Sequence, residues 1–141
     1  MTGDASKPVE VVEVAAAIVE AGGRYLLTKR PRGSHLEGLW EFPGGKREPG
    51  ETMEACLHRE LWEELAVRVG DVVPFASVRH EYTERTVELH FYRCRIVAGE
   101  ARASVGSELR WVAPAELDQY ELPAADRGII DTLRESERRA R

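Results

Sequence analysis

Cysteine is scarce in this chain: of 141 residues, Cys56 and Cys94 are the two present. They are far apart and match no metal or redox spacing, so they are expected to be reduced, partly buried thiols. An excess of basic charge is lacking too. Lys and Arg number 20 against 25 Asp and Glu, for a formal net charge of −5. That balance argues against bulk binding to DNA or to an anionic membrane. Long hydrophobic runs are missing as well. The most apolar stretch, Val9 to Val19, is broken by Glu10 and Glu13, and it reads as neither a membrane span nor a signal peptide. No repeat or linker is evident. These absences leave one domain, expected in the cytoplasm, with no membrane partner and no stable nucleic-acid binding.

What is present suits a globular protein with one real core: 43% hydrophobic and 32% charged residues. Residues 1–8 are small and polar and are expected to be mobile. Val9 to Val19 reads as a strand buried on both faces. Ala21-Gly22-Gly23 is a hairpin signal, with Tyr25 to Lys29 as the partner strand. Pro31 to Gly38 is a loop, and Leu39 to Phe42 is a short apolar stretch entering Pro43-Gly44-Gly45. A helix is predicted from Thr52, its N-cap. Leu57, Leu61 and Leu65 form one apolar stripe on it, and Ala55, Trp62 and Ala66 a second, so the helix is expected to be sandwiched. Val72 to Val97 is extended, with a turn at Glu81 to Arg85. Leu109 to Val112 is a short strand. Pro114 opens a turn or short helix, and Pro123 fits the first turn of a closing helix faced by Ile129, Ile130 and Leu133. Residues 9–135 form the single domain, and the charged residues 136–141 are expected to fray. Strands and two helices that do not alternate regularly predict an α+β fold, a helix–sheet–helix sandwich.

The chemistry concentrates in Gly45-Lys46-Arg47-Glu48-Pro49-Gly50-Glu51 and Arg59-Glu60-Leu61-Trp62-Glu63-Glu64. Residues three and four apart on a helix are surface neighbours, so Glu60, Glu63 and Glu64 crowd one edge. Like charges so close are unfavourable unless cations neutralise them. Hard divalent ions take oxygen ligands and bridge to phosphates. A metal-assisted phosphate enzyme follows. The bland alternative is a solvated acidic face.

This pattern, continued by Ala66-Val67, resembles the Nudix box. The resemblance extends through Thr28-Lys29-Arg30, His35, Glu41-Phe42-Pro43-Gly44-Gly45, Tyr82 to Arg85, Trp111 and Leu122-Pro123-Ala124-Ala125-Asp126. Those residues look like the MutT-type branch, the 8-oxo-dGTP diphosphatases that cleanse the nucleotide pool and so avoid mutation. The resemblance implies a Nudix-type α/β/α sandwich with a mixed central sheet. It also implies hydrolysis of a nucleoside triphosphate to monophosphate and pyrophosphate with Mg²⁺ or Mn²⁺, by a monomer or weak homodimer. The family usually has Gly at position 66, where it ends the helix with positive φ; Ala there costs about 1 kcal/mol.

Carried onto this chain, the resemblance makes Glu60 and Glu64 metal ligands, with Glu63 next and the Gly44 carbonyl beside them. Glu51 and Arg59 are expected to pair and orient the carboxylates. The family's further carboxylate falls on Val105, so Glu108 or Glu63 is left for the base role, and Glu108 is also a candidate ligand. Arg30, His35, Tyr82 and Arg85 are the substrate-side candidates. Asp126 stands where the branch has an Asn that pairs with oxidised guanine. An ionised Asp only accepts hydrogen bonds; it tolerates 8-oxoguanine, loses O6 unless protonated, and admits cytidine nucleotides. CTP or dCTP hydrolysis and a nucleotide-sensing domain without catalysis are the rival readings.

Overall fold

The computed structural model describes residues 10–34 and 36–139. The segment expected to be mobile, residues 1–8, lies outside them. Seven strands make one mixed sheet: β1 (Glu10–Ala21), β2 (Arg24–Lys29), β3 (Trp40–Glu41), β4 (Gly44–Lys46), β5 (Arg68–Glu81), β6 (Arg85–Ala98) and β7 (Leu109–Val112). Two helices, α1 (Met53–Leu65) and α2 (Ala124–Arg139), flank it, and a short 3₁₀ helix spans Pro114–Gln119.

β1 is the axis. It runs parallel to β6 from Glu10 to Val19 and antiparallel to β4 and β2. Side chains alternate across a strand, and both of its faces are covered. Ala15, Ala17 and Val19 meet Leu26 and the α1 residues Cys56, Leu57, Leu61 and Leu65. Ala16 and Ile18 meet Leu27, Phe42, Phe91 and the α2 residues Ile129, Ile130 and Leu133. The α/β/α layering expected of a Nudix-type α+β fold is present, and both cysteines are free and buried.

Gly44–Lys46 pairs with Val14 to Ala16. A Cβ on Gly44 would lie 1.9 Å from the Ala15 carbonyl oxygen, so only glycine lets the two backbones close. The second apolar stripe of α1 is not buried. Trp62 is 49% exposed and lies under the Arg68 guanidinium, 4.0 Å from ring centroid to Cζ. A cation over an indole ring gives Trp62 a partner without burial. Residues 136–139, the described part of the charged C-terminus, are helical. α2 continues to Arg139, and Glu137 accepts a hydrogen bond from the Tyr25 hydroxyl.

The ends of α1 follow their sequence signals. The Thr52 hydroxyl accepts from the Ala55 N–H at 3.0 Å, and Ala66 closes the helix at φ 60°, ψ 38°. A residue with a Cβ is strained in that left-handed region.

Candidate active site

The site is built where α1 crosses the β4 turn. Arg59 is its hub. Its Nε and Nη2 donate to the two oxygens of Glu51 at 3.0 and 2.7 Å, and Nη2 also donates to the Lys46 carbonyl at 2.9 Å. Its Nη1 donates to Glu60 at 3.3 Å and Glu63 at 3.1 Å. Glu51 also accepts from the Glu48 N–H at 2.8 Å. The Arg59 fork and this N–H together hold the Glu51 carboxyl down to about 2. The guanidinium thus fastens the loop to the helix and fixes the direction of two carboxylates; a two-point fork does this better than a point charge.

Glu60 sits against Gly45. A Cβ at Gly45 would lie 2.3 Å from the Glu60 carboxylate carbon, so the missing side chain is the space the carboxylate occupies. Cys56 braces the same turn by donating its thiol to the Gly45 carbonyl at 3.4 Å. Burial raises the Cys56 thiol to about 11, keeping it protonated and a donor at neutral pH. Burial also raises Glu60, with Arg59 opposing and Glu63 adding to the rise.

Glu64 lies one turn further along α1 and is more enclosed. Burial, then repulsion from Glu41 and Glu60, pushes its carboxyl up to about 7; hydrogen bonds from Thr28 and the Gly44 backbone partly offset this. The Thr28 hydroxyl stands 3.3 Å from Glu64 Oε1. Glu63 differs from both: its side chain is 59% exposed, and its contact is the Arg59 tether.

Glu41 was not singled out from sequence, and the structure makes it central. β3 pairs with β2 in the register Thr28↔Glu41, which brings its carboxylate toward Glu64. Burial raises its pKa, with Arg30 opposing. Arg30 Nη1 spans both Glu41 oxygens at 3.2 and 3.1 Å. The same two residues bear on Asp126, which opens α2 and is 4% exposed. Burial first, then Glu41, raises the Asp126 carboxyl to about 8, with Arg30 opposing. Burial thus favours the neutral, protonated form of Asp126. The available signal was a charged residue inside the apolar stretch Leu39 to Phe42, beside a strand whose partner carries Arg30.

Other sequence candidates are placed elsewhere. Glu108 precedes β7, with Lys29 at 3.6 Å and Arg110 at 3.1 Å on its carboxylate. Tyr82 and Arg85 are exposed at the β5–β6 turn, where the Tyr82 N–H donates to the Arg85 carbonyl and Arg85 registers with Glu10. Val105 is fully exposed. His35 lies outside the described residues.

Glu60, Glu64 and the glycine turn form an all-oxygen donor set whose two carboxyls are pushed up by burial first and by neighbouring carboxylates second. Such a set fits a hard divalent ion. Among the described residues, no helix is long and apolar enough to cross a membrane.

Comparison with known proteins agrees with this geometry. The chain is 40% identical over 127 residues to a CTP pyrophosphohydrolase of Escherichia coli K12, covering 89% of this chain and 93% of that one. It is 42% identical over 123 residues to a putative 8-oxo-dGTP diphosphatase 2 of Mycobacterium tuberculosis, covering 86% of each. The solution structure of the E. coli ORF135 protein superposes with a TM-score of 0.75 at 39% identity, covering 94% of each chain. The family model of the NUDIX domain matches residues 14–132. The chain therefore belongs to the Nudix family, hydrolases of phosphoric anhydrides that use divalent metal ions and act on nucleotides.

Proposed function

We propose that this protein is a pyrophosphohydrolase that converts 8-oxo-dGTP to the monophosphate and pyrophosphate, as a cytoplasmic guard of the nucleotide pool. The observation that carries the choice of base is Asp126, buried beside Arg30 and Glu41, where burial favours its protonated form. A protonated carboxyl both donates and accepts. 8-Oxoguanine offers the matching neighbours on one edge, an N7–H donor and the O6 acceptor. On that edge guanine shows two acceptors, and the mismatch leaves a buried polar group unpaired at a cost of about 1–3 kcal/mol.

Glu60, Glu64 and the Gly44 carbonyl hold the metal in this reading. When bound, Mg²⁺ or Mn²⁺ neutralises phosphate charge and lowers the pKa of water. Arg59 and Glu51 keep Glu60 and Glu63 aimed, because small displacements cost large factors in rate. Glu63, exposed and held by a single contact, serves as the base. Glu108 would have to leave both Lys29 and Arg110 to compete for that role. Arg30, beside Glu41 and Asp126, serves the substrate, with His35 kept for the same role by the resemblance; Tyr82 and Arg85, out at the β5–β6 turn, are left out of it.

A second reading is hydrolysis of CTP or dCTP. Cytosine also sets a donor, its N4 amine, beside an acceptor, N3, which neutral Asp126 answers equally well. The CTP pyrophosphohydrolase among the relatives supports it. The test is a comparison of kcat/KM for 8-oxo-dGTP, dGTP, CTP and dCTP at pH 7. At least a tenfold preference for 8-oxo-dGTP over dGTP is expected from the lost pairing. Equal rates on those two would refute the 8-oxoguanine reading, and a larger value for CTP or dCTP would establish the cytidine one.

A further inference from the structure

We propose that Glu13, Glu88 and His90 form a second metal site, distinct from the α1 carboxylates and suited to zinc. Glu13 and Glu88 are register partners on the parallel strands β1 and β6, and His90 follows Glu88 on the same face of β6. His90 Nε2 lies 3.5 Å from Glu13 Oε2 and 3.8 Å from Glu88 Oε1. One donor atom from each of the three residues falls within 4.8 Å of the others.

The imidazole separates this group from an ordinary acidic patch. His90 Nε2 is shielded from solvent and, among the described residues, makes no hydrogen bond. A polar atom left unpaired in this way calls for a partner. Nε2 faces one oxygen of each carboxylate, Glu13 Oε2 and Glu88 Oε1. Arg47 Nη2 occupies the other oxygen of Glu13 at 3.1 Å, and Arg79 occupies the other oxygen of Glu88. Ser77 Oγ stands 3.3 Å from Nδ1. With Nδ1–H donated to Ser77, Nε2 keeps its lone pair turned inward. Each of the three residues thus has an outer partner on the atom facing away from the centre, as metal ligands typically do.

The spacing fits zinc. Nitrogen and oxygen ligands at about 2.0–2.2 Å around a tetrahedral ion stand roughly 3.4 Å from one another. The 3.5 and 3.8 Å from Nε2 need a contraction of a few tenths of an ångström, and the Glu13 and Glu88 oxygens, within 4.8 Å of one another, close the rest by side-chain rotation. Imidazole favours zinc over magnesium, whereas the all-oxygen set on α1 favours magnesium or manganese. Both carboxylates are about one-third exposed, which gives an ion a way in. Arg47 also reaches the Glu51 carbonyl at 3.3 Å, so the ion would stiffen the segment that leads into α1.

The test is zinc binding by equilibrium dialysis on the tag-free full chain carrying Glu60→Gln and Glu64→Gln, which removes the α1 carboxylates from competition. About one zinc per chain is expected, with affinity falling tenfold or more when His90→Ala or Glu13→Gln is added. A second measurement on the otherwise unaltered chain follows the His90 ring nitrogens by ¹⁵N NMR: zinc should shift Nε2 and leave Nδ1 protonated. Equal zinc binding with and without His90→Ala overturns the proposal. So does a His90 ring that stays a doubly protonated imidazolium between the two glutamates and ignores zinc. Neither readout depends on nucleotide turnover, so failure here is distinguishable from failure of the substrate reading.

Discussion

Replacing Asp126 by Asn should stabilise the folded protein, and by an amount that grows with pH. Asp126 titrates near its ordinary 3.8 when unfolded and at about 8 when folded, because burial and the Glu41 carboxylate disfavour its charge. A folded-state pKa above the unfolded one means the native state binds the proton more tightly. The associated stability is complete below about pH 4, declines as pH rises, and is fully lost above about pH 8. About four pH units at roughly 1.4 kcal/mol each set a ceiling near 6 kcal/mol. Relaxation and water entry reduce such penalties, so about 2–4 kcal/mol is the realistic span. Asn cannot ionise and keeps one donor and one acceptor. Urea unfolding of Asp126→Asn and wild type, at intervals from pH 4 to 9 without divalent ions, isolates the effect as a difference between two curves. Near pH 4 the midpoints should nearly coincide; by pH 8 the variant should be ahead by those 2–4 kcal/mol. The same proton predicts that wild-type kcat/KM for 8-oxo-dGTP falls relative to the variant above pH 8, where Asp126 stops donating. A stability difference that is flat across this range would show that Asp126 is ionised throughout, and the base-recognition argument would fall with it.

The remaining predictions concern the catalytic edge and its helix. Glu60→Gln and Glu64→Gln should each lower kcat by about 10²–10³-fold, as loss of a group that stabilises developing charge does, and chelation of divalent ions should abolish pyrophosphate release in the wild type. Turnover unchanged in both variants would eliminate the metal assignment. Arg59→Lys keeps the charge and loses the fork that grips Glu51, so kcat should fall about 10–100-fold; wild-type kcat in that variant would reduce the Arg59 network to a surface ion pair. Ala66→Gly relieves the left-handed φ of 60° at the end of α1 and should raise stability by about 1 kcal/mol, or roughly 2–4 °C in Tm. A lower Tm would show that the Ala66 methyl group contributes more packing than its backbone strain costs.

How much of this was legible in the sequence divides along physical lines. Local signals served well. The double-sided burial of β1 showed in its run of Val, Ile and Ala, and α1 opened at Thr52; the positive φ at Ala66 was implied by the family resemblance, which has Gly there. Trp62 misled because hydrophobicity at helical spacing reads as burial, whereas an exposed indole can be covered by a cation such as Arg68. β4 was hidden because Gly44 and Gly45 carry turn chemistry, and their pairing with β1 depends on an approach that local sequence does not encode. Glu51 and Arg59 were legible as a pair through the motif. Glu41 was not, since its importance comes from the β2–β3 register that sets it between Glu64 and Asp126. Long-range pairing is what single-sequence reasoning lacks: β4 and Glu41 were missed for partners distant in the chain, whereas Trp62 was misread although Arg68 lies six residues on.

The same register explains why the two ends of the site ask for different cations. Glu60 and Glu64 repel one another, Glu41 repels Glu64 on one side and Asp126 on the other, and burial weakens the water that would screen them. Four carboxyls in such a line cannot all remain charged without compensation. Arg59 and Arg30 each neutralise part of it, through Glu60 and Glu41. What is left divides by depth. Burial and Glu41 push Glu64 up to about 7 and Asp126 up to about 8. In the function proposed above, metal affinity at Glu64 and hydrogen-bond donation at Asp126 then share a cause, and Glu41 couples them. Neutralising Glu41 as Gln would lower both pKa values together, easing metal entry at Glu64 while ionising Asp126. A change at this residue should thus shift base preference and metal dependence in the same variant, which independent sites would not do.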